Sequence, residues 1–473
     1  MTDSPVASSG YLERGDDIIP VDTVYASGYS LFVLFKENPE IEDGTEFDGL
    51  VLGVKDRQHQ FGACYFHSEP NIHGYAGRLI FTTEVYDFHS LFFKGKVFNA
   101  QNYFDNIAVV FEQKNKIVPS FKEYTSNVAY DLRVYREFFD DLEAKLRKEP
   151  EPVRNAAEVA ILSTSGRRYM NFFDEMLQVL ENEIKDFSQE EHARHGYYFR
   201  KQVWDIILSS EGLTLTNIKP RGYLGDPEMT AHIYENSYRG NSIFGKLMHK
   251  HPVECRAAQA VRNRRRLLTR MLLEAEKTFP GLPRAGFKFM SVACGGAYEV
   301  RDLFEQTEDA FERFSCSLLD QDGYALSEAV EAISEIEKRT GKKLNRRAEN
   351  LSSLLGVRPL NTSVRTMLKG RLWETWGRFH FIYSVGLFDY LTPPVARVVA
   401  RKLYELLLPG GQLVIGNFHV NNPSKWYMEY WMDWPLYYRT EEDLLDLVSD
   451  PDAVSSVFFE ESGTQMFLHV KKP

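Results

Sequence analysis

The chain has 473 residues, too many for one ordinary core, so two or three domains are expected. Hydrophobic residues make up 43% and charged residues 26%, a globular balance, while the formal net charge of −11 argues against a broad nucleic-acid surface. Cys64, Cys255, Cys294 and Cys316 lack metal-ligand spacing, which predicts free thiols in a reducing compartment and no metal site. No stretch reaches the length of a membrane-spanning apolar run, and the polar start Met1 to Pro5 lacks the features of a signal peptide, so an integral membrane segment is not expected and a cytoplasmic location is.

Residues 1–23 are polar, with Ser8, Ser9 and Gly10, and predict a loose leader. Six β-rich runs follow: Tyr29–Phe35, Leu50–Val54, Gly62–Phe66, Arg78–Thr82, Leu91–Phe98 and Ile107–Phe111. Short strands at this spacing predict a small β-barrel over 24–122. The region resembles the PilZ barrel, whose active form binds cyclic-di-GMP. It lacks that family's Arg-x-x-x-Arg and Asp-x-Ser-x-x-Gly elements, and Arg57 and Gly62 are the nearest remnants. Without paired arginines the phosphate clamp is lost, so the resemblance implies a degenerate barrel with a structural or partner-binding role.

Residues 123–195 read as a helical linker. Val128, Leu132, Tyr135, Phe139, Leu142 and Leu146 form one apolar stripe, Pro150 and Pro152 break it, and Phe173, Leu177, Leu180, Ile184 and Phe187 form a second. The two helices suit a hairpin, and they also suit pairing between subunits in a homodimer. His192 and His195, beside Glu190 and Glu191, lack an evident third metal ligand and read as a solvated face. Residues 196–280 read as a helical cap. A shaped loop, Lys219–Glu228, leads to a helix capped by Asp226 with Pro227 at its first position, and a basic helix, Arg256–Arg270, follows. Arg221, Tyr223 and Arg262 are the candidates to cover a bound cofactor.

The stretch Phe287–Asp322 carries the most chemistry. Phe287–Ala293 is a short apolar run with the look of a buried parallel strand, and Cys294-Gly295-Gly296 is a tight turn at which backbone approaches a ligand. Tyr298–Glu305 has helical spacing, and a second apolar run, Phe314–Leu319, ends in Asp320. A carboxylate there can accept hydrogen bonds from ribose hydroxyls. On this stretch alone three readings stand: a dinucleotide site, whose third glycine is missing, a structural turn, or an S-adenosylmethionine (SAM) site.

Downstream come a helix over Gly323–Arg339, a strand Val357–Leu360 followed by Asn361 to Arg365, a strand Phe379–Tyr383 followed by Ser384 to Leu391, a helix Pro394–Leu408, Pro409-Gly410-Gly411, a strand Gln412–Phe418 and a terminal hairpin. This order over 281–473, with the glycine turn, Asp320, the Ser384–Leu391 motif and the Leu408–Ile415 stretch, resembles the class I SAM-dependent methyltransferases. The resemblance implies a seven-stranded Rossmann-like α/β domain, within a multidomain chain of barrel, helical linker and helical cap. It implies SAM as cofactor, held by Ala293, Cys294, Gly295, Gly296, Asp320, Gln321, Asn361, Ser363, Ser384, Val385 and Gly386, with Arg221, Tyr223 and Arg262 from the cap. The family often has Gly-x-Gly where Cys294 and Gly295 stand, and Gly296 is expected to supply the flexible residue. Arg221–Asp226, Ala260–Arg264, Tyr383–Tyr390 and Gly416–Phe418 further resemble the PhcB-like quorum-signal synthases, which esterify 3-hydroxy fatty acids.

Methyl transfer from a sulfonium is an in-line displacement that needs near-attack geometry and exclusion of water. A fatty-acid carboxylate needs no base, since it is ionised at neutral pH. An amine or hydroxyl acceptor does, and His419 or Asp389 could serve; Tyr390 is placed by the resemblance near the methyl group. Trp426, Tyr427, Tyr430, Trp431, Trp434, Tyr437 and Tyr438 form a dense aromatic segment. It suits helix packing, an acyl pocket or a cation cage, and Tyr427 and Trp431, one turn apart, are the residues expected to face substrate. The leading expectation is methylation of a 3-hydroxy fatty-acid carboxylate. The alternatives are N- or O-methylation of another small metabolite, and a SAM-fold sensor without catalysis.

Overall fold

The computed structural model describes residues 4–26, 30–35, 41–54, 57–68, 76–82, 84–88, 91, 111–221, 223–225, 227–281, 286–307, 309–341, 356–367 and 372–473. The chain divides into two compact units, Met1–Ile117 and Val118–Pro473.

The first unit is an antiparallel sheet of eight strands. They are β1 (Ser4–Arg14), β2 (Asp17–Ala26), β3 (Ser30–Phe35), β4 (Glu46–Phe47), β5 (Gly49–Val54), β6 (Arg57–Phe61), β7 (Cys64–Ser68) and β8 (Ala76–Phe81), in the order β4-β7-β8-β3-β2-β1-β5-β6. Among the described residues no pairing joins β4 to β6. The expected leader is instead the longest hairpin of the sheet. Arg14 pairs with Asp17 around Gly15, whose φ of +59° suits glycine, and β1 also pairs with β5. Its polar residues need little burial because ladder hydrogen bonds, with Leu12 and Val21 in the core, hold the hairpin. Arg57 is exposed on β6, and the Gly62 amide donates to the Tyr86 hydroxyl at 2.8 Å. Of the remaining predicted strands, Leu91–Phe98 and Ile107–Phe111 lie almost wholly outside the described residues, and Phe111 itself is helical.

In the second unit, Pro119–Leu146 (α1) and Glu151–Ile184 (α2) break at Pro150, the residue that precedes α2. The helix Gln189–Gln202 (α3) starts in a capping box between Ser188 and Glu191. These helices are part of the body of the unit and not a free linker: Phe121 of α1 lies 5.9 Å from Tyr430 and Phe199 of α3 lies 4.9 Å from Trp431, ring centre to ring centre. The cap contributes Pro227–Glu235 (α4), Ile243–Glu254 (α5) and Arg256–Thr278 (α6). Asp226, read as the cap of α4, lies outside the described residues.

The sheet of this unit has seven strands: β9 (Phe287–Val292), β10 (Phe314–Asp320), β11 (Val357–Asn361), β12 (Phe379–Ser384), β13 (Leu407–Phe418), β14 (Val454–Phe459) and β15 (Gln465–Lys471). Their order is β11-β10-β9-β12-β13-β15-β14, with β15 antiparallel to both neighbours and the first five strands parallel. Side chains alternate between two cores. Phe289, Leu318, Tyr383 and Val414 face α6, Tyr298–Gln306 (α7) and Gly323–Thr340 (α8), while Met290, Leu319, Ile382 and Ile415 face Pro393–Glu405 (α9). Pro409-Gly410-Gly411 lies within β13; Gly410 takes a left-handed φ of +74°, and a Cβ on Gly411 would lie 2.8 Å from Leu408 O. The strand order reverses on either side of β9, and open α/β sheets bind ligands in the crevice at such a point.

Candidate functional site

A cavity of about 300 Å3 opens at the carboxyl ends of β9, β10 and β12. Its floor is the turn after β9. Ala293 (φ +54°), Gly295 (φ +50°) and Ala297 (φ +48°) are all left-handed, a costly conformation for alanine. The turn is held by Cys294 N–H on Leu319 O at 3.1 Å and Ala297 N–H on Cys294 O at 2.8 Å. The flexible residue is thus Gly295 rather than Gly296. Gly296 is needed for closeness: a Cβ there would lie 2.7 Å from the Tyr298 ring. Burial pushes the Cys294 thiol far above its ordinary range, so it lines the cavity as an inert neutral group.

Asp320, at the end of β10, accepts the Gly295 amide on Oδ2 at 2.8 Å and the Asp322 amide on Oδ1 at 2.9 Å. Each oxygen keeps a lone pair for a ligand. Burial raises its pKa, against the pull of those amides. Two residues on, Asp322 Oδ1 caps α8, and Oδ2 accepts from Arg221 Nη1 and the Tyr223 hydroxyl, both at 2.7 Å. Burial pushes the Asp322 carboxyl up, but hydrogen bonds from Tyr223, the Ala325 amide and Arg221 outweigh it and leave it below its ordinary value. Arg221 also lies over the Tyr324 ring at 4.8 Å. Tyr223, Leu224 and Gly225 of this loop line the cavity.

The opposite wall begins after β12. Val385, Gly386, Leu387, Asp389 and Tyr390 line the cavity with Phe418, Trp434 and Leu436. The Tyr390 hydroxyl accepts from Trp434 Nε1 at 3.0 Å, and Gly225 (φ +70°) closes on the pair: a Cβ there would lie 2.6 Å from the hydroxyl oxygen. Asp389 is 2% exposed and accepts the Phe418 amide on Oδ1 at 2.7 Å. Burial raises its pKa to about 6, opposed by that amide and by the charges of Arg264 and Arg439.

Of the expected cofactor residues, Ala293, Cys294, Gly295, Gly296, Asp320, Gln321, Ser363, Val385, Gly386 and Tyr223 meet at the cavity. Asn361, Ser384, Arg221 and Arg262 do not line it. Asn361 Nδ2 donates to Asp320 O and Gln321 O, and Ser384 Oγ donates to Val292 O, so both brace the walls. Arg221 acts through Asp322. Arg262 donates to the Ile233 and Val253 carbonyls and does not itself line the cavity. The arginine that reaches in is Arg264, which donates to Val385 O at 2.6 Å. The signal was present in helical phase, since Val261, Arg264 and Leu268 share one face of α6 and all line the cavity. Glu299, buried at the cavity and taking the Tyr383 hydroxyl at 2.7 Å, was also missed.

His419 lies outside the cavity lining, paired with Glu441 at 3.1 Å, so it is not placed as a base there. Tyr427 and Trp431 also lie outside it. The Tyr427 hydroxyl meets His251 Nδ1 at 2.9 Å, and the Trp431 ring is fully buried 5.0 Å from Phe173. The helix Lys425–Trp431 (α10) points these rings into the bundle, and only the residues after it, Trp434 and Leu436, reach the cavity. His192 and His195 are not solvated either. His195 accepts the Val118 amide at 3.1 Å, and His192 stacks on Trp426 at 4.0 Å, where burial lowers its pKa to about 4. Among the described residues no cluster of His, Cys, Asp and Glu could hold a metal, and no helix is long and apolar enough to cross a membrane.

No protein-family model matches the chain, and no curated protein does. Solved structures of similar shape exist. A "possible exported protein" from Bordetella parapertussis aligns at 15% identity with a TM-score of 0.41, over 67% of this chain and 96% of that one. Magnesium protoporphyrin IX methyltransferase from Synechocystis, with bound S-adenosylhomocysteine (SAH), aligns at 11% identity and a TM-score of 0.33, over 46% and 87%. The N-methyltransferase NodS from Bradyrhizobium japonicum, also with SAH, aligns at 16% identity and 0.28, over 44% and 87%. At these TM-scores the likenesses bear on neither activity nor substrate.

Proposed function

We propose that the second unit binds SAM and transfers its methyl group to a small-molecule acceptor. The observation that carries this is the Gly295–Asp320 pairing at the strand-order reversal, which aims a left-handed turn and a buried carboxylate at one cavity. Asp320 then takes the ribose hydroxyls, and Arg264, the cation lining the cavity, suits the carboxylate of the methionine portion. In this reading Ser363 and Gln321, which line the cavity, take the adenine. SAM supplies a methyl group on a cationic sulfur; the chain's part is to hold the acceptor in line and keep water out.

The expected 3-hydroxy fatty-acid carboxylate finds apolar surface in Leu224, Phe418, Trp434 and Leu436 beside the Tyr390 hydroxyl, but the buried carboxylate of Asp389 lines the same end and disfavours it. In this reading Tyr390 orients the carboxylate by a hydrogen bond. The acyl wall is then Trp434 and Leu436, since Tyr427 and Trp431 are packed elsewhere. Calorimetry with SAM tests the cofactor, and mass spectrometry of lipid extracts from cells with and without the protein tests the ester. Absence of SAM binding overturns the methyltransferase reading, while unchanged lipid methyl esters remove only the fatty-acid acceptor. The first unit, with no paired arginines of the clamp, is expected not to titrate with cyclic-di-GMP.

A further inference from the structure

The acceptor end of the cavity carries a carboxylate that holding the cofactor does not require. Asp389 lines it beside Gly386 and Tyr390, and its Oδ1 accepts the Phe418 amide. Among the described residues Asp389 forms no ion pair. The cations that face it donate elsewhere: Arg264 to Val385 O, and Arg439 to Phe388 O, Leu391 O and Asn417 Oδ1. Around it stand Phe418 and Trp434, a ring surface that suits a cation or an aromatic body.

We propose that Asp389 takes a proton from the methyl acceptor, and that the acceptor reacts through an N–H or O–H group of a neutral or cationic small molecule, not through a carboxylate. This rests on the methyltransferase reading above. The acceptor proton passes to Asp389 Oδ2 as the nitrogen or oxygen lone pair forms the new bond to the methyl carbon. The sulfur–methyl bond breaks, and its electron pair stays on sulfur, leaving a neutral thioether. A second carboxylate placed here would face Asp389 across a desolvated gap, where like charges repel strongly. Burial, by raising the Asp389 carboxyl towards neutral pH, suits it to proton transfer. The other ionisable groups around it are Arg264 on α6, Arg439 and Tyr438 after α10, and Tyr390 on its own turn.

The test uses the full chain and two probes of equal size and opposite charge, benzylammonium and benzoate. SAH binding is first measured by calorimetry; its failure counts against the methyltransferase reading, and the probes are read with and without SAH so that the two failures separate. Benzylammonium is expected to bind at least about tenfold more tightly than benzoate, and Asp389→Asn, which keeps an oxygen for the Phe418 amide, is expected to erase that preference. Equal binding, tighter benzoate or binding of neither overturns the acceptor class. With methyl-labelled SAM, slow transfer to benzylamine is expected, falling about 100-fold in Asp389→Asn with SAH affinity unchanged. Transfer undiminished in that variant, or absent from a protein that binds both molecules, overturns the role of Asp389.

Discussion

Two regions of the second unit look equally rich in chemistry, and they turn out to be built on different principles. In the turn after β9 the backbone carries the information: left-handed residues and their amides fix where Asp320 points. In the aromatic segment 426–438 the side chains carry it, and α10 sends most of its rings into the helical bundle while Trp434 alone among the seven aromatics enters the cavity. A turn with few allowed conformations declares its geometry, whereas a dense run of rings declares only that something apolar is nearby.

The hardest test of this contrast is Trp431→Ala. Its ring is fully buried against Phe173 and Phe199, so the variant should lose ~3–5 kcal/mol in denaturant unfolding. SAM affinity of the folded fraction should not move, and a variant with normal stability but a weakened acceptor would return the segment to the pocket.

The acids of the two walls sharpen the comparison through pH. Asp389 has a folded pKa raised to about 6 by burial. Between the ordinary carboxylate value and about 6 the folded state keeps a proton that the unfolded state has released, so stability falls as pH rises through that window and levels off above it. The difference in unfolding free energy between wild type and Asp389→Asn should therefore change by at most roughly 3 kcal/mol across that window. A flat difference would mean that Asp389 titrates normally.

At the turn, Asp320→Ala should weaken SAM binding by ~1–3 kcal/mol, read by calorimetry, as charged acceptor bonds are lost. Unchanged affinity would strip the turn of its role. The smallest effect belongs to Trp434→Phe, which removes the 3.0 Å bond to the Tyr390 hydroxyl and keeps a ring on the wall. It should cost ~1 kcal/mol in the barrier to methyl transfer and leave the unfolding midpoint in place.

What the sequence made legible follows the same line. The strand–turn–helix at Phe287–Gln306 could be read from an apolar run and two glycines, because burial on both faces leaves that pattern. Arg262 and Arg264 could not be told apart by composition; only the helical phase shared with Val261 and Leu268 separates them. The hairpin β1–β2 escaped because its ladder asks little of its side chains, and polar strands look like leaders. His195 escaped because a charged-looking sequence neighbourhood hid a ring packed 4.3 Å from Phe187.

The loop that ties Arg221 and Tyr223 to Asp322 also sets Gly225 against Tyr390. One short run of chain therefore touches both ends of the cavity. Residues 221 to 225 cannot swing clear of Asp322 without withdrawing the Gly225 backbone from Tyr390. Under the proposed reading, in which one molecule sits at each end, their release is coupled through this loop, and a change that loosens the Asp322 contact at one end should alter release at the other.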